Sequence, residues 1–155
     1  MTHSLTIFSP SKTVALDDKG SKIKKIIKIR EAVREDIAEC GSLVFHSFRD
    51  IDERCGIHPL TFSSLDITTS VVTMEIVMED IIGIVAEVVE CNDQGEEKRM
   101  EKSEIAGCVF LCCQDEIFGV DLVAVHTRYQ GLGIARMMMQ ELMSLKRARN
   151  KLGRE

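Results

Sequence analysis

Apolar residues along this chain repeat in two rhythms, every second position and every third or fourth. The change from one rhythm to the other marks out its elements. Lys25-Ile26-Ile27-Lys28-Ile29-Arg30-Glu31-Ala32 alternates as a short strand. Glu35-Asp36 then places acidic residues where a helix N-terminus favours them, and Ile37, Cys40, Val44, Phe48, Ile51 and Cys55 hold helical spacing for about five turns. Gly56, followed by Pro59, supplies a stop. Val33 stands where a Ser, Thr or Asp cap would signal the start. Ser63-Ser64-Leu65-Asp66 has the form of a capping box, and Ile67, Val71, Met74 and Met78 mark a second helical stripe. The β-branched run Ile67, Thr68, Thr69, Val71, Val72, Thr73 favours a strand instead; the spacing predicts a helix.

Strands follow over 81–90, 104–113 and 117–126, joined by a charged connection from Asn92 to Lys102 and a turn at Gln114-Asp115-Glu116. Successive strands with short links predict an antiparallel meander. Within the last strand, alternation sends Val120, Leu122 and Ala124 to one face and Asp121, Val123 and Val125 to the other. Gln130-Gly131-Leu132-Gly133 then turns the chain into a helix beginning Arg136-Met137-Met138-Met139-Gln140-Glu141-Leu142-Met143 and reaching Asn150. Residues 1–22 show no lasting periodicity and read as a flexible tail, leaving 23–155 as a single domain.

Composition narrows the function classes. With 45% apolar and 29% charged residues, the 155-residue chain reads as globular with a substantial core. A net charge of −5 argues against a nucleic-acid partner. No apolar run approaches the ~18 residues of a membrane span. The first residues lack a signal-peptide pattern, and Asp17 and Asp18 suit a mitochondrial presequence poorly. A cytoplasmic protein, with a nuclear one as the alternative and no membrane partner, is the expectation. Cys40, Cys55, Cys91, Cys108, Cys112 and Cys113 form no Cys-x-x-Cys pair. They read as small buried hydrophobes rather than metal ligands, and no metal is expected.

The candidate chemistry lies where the last strand meets the last helix. A glycine turn there presents unpaired N–H groups with the positive end of the helix dipole behind them, which suits a phosphate. No Lys-Ser or Lys-Thr follows the glycines, so the turn is not a P-loop; Arg136 stands where a dinucleotide fingerprint needs its third glycine. What remains is Gln130-x-x-Gly133-x-Ala135 after a strand ending Leu122-Val123-Ala124-Val125. This resembles the Gln/Arg-x-x-Gly-x-Gly/Ala signature of the GNAT (Gcn5-related) N-acetyltransferases. The order of elements, strand–helix–helix–strand–strand–strand–glycine turn–helix, is similar to the start of that family over roughly residues 26–150.

The resemblance implies an α/β (α+β) fold, a GNAT-like, mostly antiparallel sheet flanked by helices in the order β-α-α-β-β-β-α. It implies acetyl-CoA as co-substrate and direct acetyl transfer to a primary amine in a ternary complex. It would place the pyrophosphate on Gln130, Gly131, Leu132, Gly133, Ile134 and Ala135, and the pantetheine arm along Val123, Ala124 and Val125. A backbone N–H near Val125 would face the acetyl oxygen. The acceptor, an amine of unspecified type, would meet the connection from Arg54 to Ser64, where Arg54, His58 and Phe62 are the candidates. The proton that the amine sheds needs a base. Asp121 is favoured because alternation puts it on the face of Val123 and Val125, with Glu87 and His126 as further candidates. Lys146, Arg147, Arg149, Lys151 and Arg154 complement the dipole at the last helix end.

The sequence also departs from the family. A fifth strand, a helix and two more strands would follow the motif helix, whereas this chain has few residues left, so the expectation is a C-terminally truncated domain. That predicts an unpaired edge on the 117–126 strand, open to completion by a homodimer or a partner chain. The family's thiolate acid, a tyrosine of the following helix, has no counterpart; Tyr129, the single tyrosine, lies on the loop. A catalytically inactive CoA-binding or interaction module is the alternative.

Overall fold

A computed structural model describes residues 14–16, 24–56, 64–77, 81–91, 97–98, 104–114 and 117–152. Its strands are β1 (Val14–Leu16), β2 (Lys24–Glu31), β3 (Ile81–Cys91), β4 (Glu97–Lys98), β5 (Glu104–Gln114) and β6 (Ile117–Val125). Its helices are α1 (Ile37–Cys55), α2 (Leu65–Val77) and α3 (Ile134–Leu152). The sheet runs β1-β2-β3-β5-β6, with β4 on β3, and every pairing is antiparallel. This is the mixed α/β order read from the sequence, with two short strands added. One of them, β1, falls inside the segment read as a tail: Val14–Leu16 pair with Lys25–Ile27 of β2. The rest of that segment lies outside the described residues.

Local chemistry explains how the helices start and stop. Val33 cannot cap α1, and Asp36 substitutes for a cap. Its carboxylate accepts the Val33 N–H at 2.8 Å and is clasped by the two terminal Arg30 guanidinium nitrogens at 2.7 and 2.8 Å. Arg30 also donates from Nε to Glu87 Oε2 at 2.8 Å, so the start of α1 is tied to β2 and β3. Asp36 is 3% exposed, and its bonds to Arg30 keep the guanidinium protonated. At the other end, Gly56 takes the left-handed φ of 65° that closes a helix, and its N–H reaches the Asp52 and Glu53 carbonyls. Ser64 caps α2, accepting the Ile67 N–H at 3.3 Å.

The expected stripe on α2 is displaced. Thr68 and Val72 are the residues buried, whereas Ile67 and Met74 are 47% and 63% exposed. The helix is apolar on most sides, so spacing alone did not single out the packed face. A buried threonine is tolerated because its hydroxyl donates to the Ser64 carbonyl at 2.9 Å.

Two apolar clusters sandwich the sheet. On one face, Ile134, Met138 and Leu142 of α3 pack on Ile27, Ile84, Val88, Val109 and Leu111. On the other, Cys40, Leu43 and Val44 of α1 and Val72 of α2 pack on Val85, Cys108, Phe110 and Leu122. Cys40, Cys91 and Cys108 are buried, and Cys55 is exposed. A hydrogen bond to Cys108, together with burial, holds the Cys40 thiol protonated. Close approach of α3 depends on Gly107 of β5, where a Cβ would come within 2.9 Å of the Met138 methyl and 3.1 Å of the Ala124 carbonyl. That contact sets α3 directly behind the glycine turn.

Candidate active site

The turn between β6 and α3 is built to expose backbone. Thr127–Tyr129 form a single 3-10 turn, in which the Tyr129 N–H donates to the His126 carbonyl at 2.8 Å and His126 Nδ1 accepts the Arg128 N–H at 3.2 Å. Gln130 folds its side chain back, Nε2 donating to the Val125 carbonyl at 3.1 Å. Gly131 and Gly133 then take φ values of 81° and 76°, a region that side chains rarely enter, and a Cβ at either would meet nothing within 4 Å. Gln130, Gly131, Leu132 and Gly133 are exposed, while Ile134 anchors the helix at 1%. The Gln130 N–H donates to Thr127 at 3.3 Å. Among the described residues, no backbone carbonyl accepts from the N–H of Gly131, Leu132 or Gly133. With the first-turn amides of α3 they present a group of N–H donors at the positive end of the helix dipole.

Beside those donors runs the edge of β6. Among the described residues, its one neighbour is β5. The His126 N–H donates to the Ala106 carbonyl at 2.9 Å, which fixes the alternation. Ala124 shares that direction toward β5, so Val123 and Val125 turn their N–H groups to the open edge. Of the three strand residues expected to meet an extended ligand, Val123 and Val125 can do so through their amides; Ala124 is 3% exposed and faces its neighbour strand.

A bulge changes the place of Asp121. Phe110 pairs with Leu122 and Leu111 with Val120, leaving Asp121 as the extra residue. Alternation predicted a shared face with Val123 and Val125, and the bulge breaks it. Instead, an Asp121 carboxylate oxygen lies 3.9 Å from where a Gly119 Cβ would be, and its charge is felt by Glu75 of α2. Asp121 is thus turned toward the helix layer of α1 and α2. Glu75 is a residue that the sequence reading missed. Its Oε2 is buried with no hydrogen-bond partner among the described residues. Burial raises its carboxyl above the ordinary range, and the charge of Asp121 adds to the effect. No motif marks Glu75; it is one acid on a mostly apolar helix, and only the packing of α2 brings it to Asp121.

These features coincide with a sequence match. The pattern of the acetyltransferase (GNAT) domain matches residues 76–155, just over half of the chain. The chain belongs to the GNAT acetyltransferase family. The GNAT match includes the β6 edge, the bulge and the glycine turn, and begins one residue after Glu75. No curated protein sequence matches the chain. Among solved structures, a point mutant of the BH1408 protein of Bacillus halodurans is similar at 16% identity, covering 76% of this chain and 73% of its own, with a TM-score of 0.49. A protein described as a GNAT-family acetyltransferase from Desulfovibrio desulfuricans is similar at 15% identity, with coverage of 80% and 68% and a TM-score of 0.49. One described as an acetyl transferase from Pyrococcus furiosus is similar at 16% identity, with coverage of 80% and 76% and a TM-score of 0.48. Family membership rests on the sequence match rather than on these likenesses.

The other candidates of the GNAT domain sort by their contacts. Glu87 is engaged by Arg30 and belongs to the structural network at the start of α1. His126 spends Nδ1 on the Arg128 N–H and so serves the turn. Tyr129 is 4% exposed, and its hydroxyl donates to Glu104 Oε1 at 2.8 Å. Burial and that carboxylate raise its phenol above the usual value. It anchors the loop to β5 and is not placed to serve as an acid. Arg54 pairs with Asp50 on its own helix. His58 and Phe62 lie outside the described residues, as do the side chains of Lys146, Arg147, Arg149 and Lys151, and all of Arg154. No group of three or more potential metal ligands occurs among the described residues.

On the α1 side a cavity of about 270 Å³ opens between that helix and the adjoining ends of β5 and β6. Glu39, Ser42 and His46 line it from α1, Glu104 from β5, and His126 and Thr127 from the turn.

Proposed function

We propose that the chain transfers the acetyl group of acetyl-CoA to a primary amine, by direct attack with both substrates bound. The observation that carries this reading is the glycine turn: exposed, at positive φ, with N–H groups unspent and set at the N-terminus of α3. Gly131, Leu132, Gly133, Ile134 and Ala135 offer the pyrophosphate a backbone cradle, the pairing that helix N-termini favour, with Gln130, whose N–H is given to Thr127, at its edge. Acetyl-CoA supplies the thioester as co-substrate. The outward N–H groups of Val123 and Val125 hold its pantetheine arm as a strand would be held, and the amide at Val125 stabilises the oxygen on which charge develops.

The attacking amine is cationic in water and must lose a proton before its lone pair can reach the carbonyl carbon. Asp121, swung out by the bulge at the same strand edge, takes that proton. Glu75 opposite it adds a second carboxylate of raised proton affinity, and together they attract the ammonium form and accept its proton. When the C–N bond has formed, the C–S bond breaks and the second proton lost by the nitrogen passes to the sulfur, so that coenzyme A leaves as its thiol.

Acetyl-CoA consumption with a panel of primary amines tests the reading. Turnover with at least one amine, falling about tenfold or more in Asp121→Asn as expected for lost general-base help, supports it. Coenzyme A binding without turnover of any amine would leave a binding module and overturn the transfer reading.

A further inference from the structure

The glycine turn is exposed, and little around it holds its two glycines. A Cβ at Gly131 or Gly133 would meet nothing within 4 Å, so no neighbour crowds them there. Glycine has the widest backbone freedom of any residue, and a turn that carries two must be held from its ends. Ile134, 1% exposed, and the Met137 N–H, which donates to the Gly133 carbonyl at 3.1 Å, hold the α3 end. We propose that Tyr129 and Glu104 are the positioning residues of the other end: the phenol–carboxylate bond between them keeps the amides of residues 131–133 aimed before a ligand arrives. On the reading of this turn as the diphosphate site of acetyl-CoA, that bond sets cofactor affinity.

Tyr129 suits this role by its place. It ends the 3-10 turn Thr127–Tyr129, one residue before Gln130. It is 4% exposed and packs in the same cluster as Ile134 and Met138, so both ends of the glycine turn share one apolar support. The His126 ring stands edge-on to it, with centroids 5.9 Å apart. A bond from a buried phenol to a carboxylate is charge-assisted and sheltered from water. The bond from Gln130 to the Val125 carbonyl is exposed, and there water competes.

Glu104 suits it by its backbone. It begins β5 opposite Val88 of β3, and two residues further on the Ala106 carbonyl accepts the His126 N–H. The carboxylate is thus rooted in a strand with a neighbour on each side. The Tyr129 hydroxyl reaches its Oε1 at 2.8 Å. An Arg128 guanidinium nitrogen donates to the same oxygen at 3.3 Å, but that side chain is 66% exposed, and a pair of that kind is weak. A carboxylate accepts about four hydrogen bonds, and the Glu104 side chain is itself part-exposed, so Arg128 and water satisfy it when the hydroxyl is removed. Removal therefore frees the turn without orphaning a buried charge.

Titration calorimetry on the full chain, with coenzyme A and with inorganic pyrophosphate, compares wild type with Tyr129→Phe, Glu104→Leu and Glu104→Gln at a temperature where each is folded. Tyr129→Phe keeps the packed ring and loses only the bond; Glu104→Leu removes the same bond from the other side. Each should weaken both ligands about tenfold, as the loss of one charge-assisted bond implies. Glu104→Gln, whose carbonyl still accepts from the phenol, should restore binding to within about threefold of wild type. With turnover, the first two should raise KM for acetyl-CoA and leave kcat nearly unchanged. A merely structural bond would lower Tm and leave both affinities alone, and that result would overturn the proposal. Backbone relaxation of the ligand-free protein reads the turn itself. Order parameters at Gly131 and Gly133 should stand near about 0.85 in wild type and fall below about 0.6 in Tyr129→Phe, with Met138 unchanged. Equal order in the two proteins would also overturn it. Should wild type bind neither ligand, the acetyl-CoA reading falls, and the relaxation result alone decides whether Tyr129 and Glu104 hold the turn.

Discussion

On the α3 face of the sheet, Met138 and Leu142 have no exposed surface, and Gly107 lets the helix settle against β5. On the opposite face, α2 buries Thr68 and Val72 and leaves Met74 in solvent, while the start of α1 is held by ion pairs from Arg30 to Asp36. The first face is closed by apolar packing, the second partly by directed polar contacts. The difference fits the function proposed above. A loop that is to position a diphosphate by its own backbone needs a rigid support, and close packing supplies one. A side that is to receive an amine needs carboxylates and open space, and Glu75 and Asp121 offer the carboxylates there. Those groups cannot coexist with a sealed apolar interface.

The contrast can be broken at chosen points. Asp36→Ala carries the largest expected effect. It leaves the buried end of Arg30 without its main partner and the Val33 N–H unpaired, and should cost about 3–5 kcal/mol in chemical denaturation. A loss below about 1 kcal/mol would show that the start of α1 does not depend on this network. Next comes a matched pair of truncations. Leu142→Ala on the sealed face should cost about 2–5 kcal/mol, whereas Met74→Ala, 63% exposed, should stay within about 0.5 kcal/mol. Equal costs would erase the distinction between the faces.

The smallest effect sharpens the α1 and α2 side. Burial and Asp121 raise the folded-state carboxyl of Glu75 above its ordinary value of 4.5, so folding favours the protonated acid. That contribution is fully present below the unfolded value and is lost as pH rises through the folded one. Glu75→Gln removes the dependence. The variant should gain Tm relative to wild type on moving from acid to neutral pH, by about a degree or two. A constant difference across that window would mean that Glu75 is not held in a raised state.

The rhythm of apolar residues made most elements legible, because strand and helix periods differ and the chain rarely mixes them. The glycine turn was legible for another reason: its exposed backbone at positive φ depends on glycines, and Gln130, Gly131 and Gly133 stand together in sequence. Four features were hidden. Alternation assigned Asp121 to the wrong face because a bulge inserts one unpaired residue, and nothing in Val120-Asp121-Leu122 signals it. Of the stripe Ile67, Val71, Met74 and Met78, Val71 packs on the core, Ile67 and Met74 face solvent and Met78 lies outside the described residues, because apolar residues nearly surround α2 and spacing does not single out its packed face. Glu75 and the α1 cavity depend on residues far apart in the chain, so only packing could bring them together.

The proposed activity requires that the amides after Val125 receive a diphosphate. Thermal unfolding with and without coenzyme A tests it most directly. A ligand at a hundred times its Kd adds about 2.7 kcal/mol to a folded state that it alone recognises, which raises Tm by about 5–10 °C for a chain of this size. Wild type should show that rise, and Gly133→Glu, which sets a carboxylate in the cradle at a backbone angle that side chains avoid, should lose it while remaining folded. A full shift in Gly133→Glu, or none in wild type at saturating coenzyme A, would contradict the account.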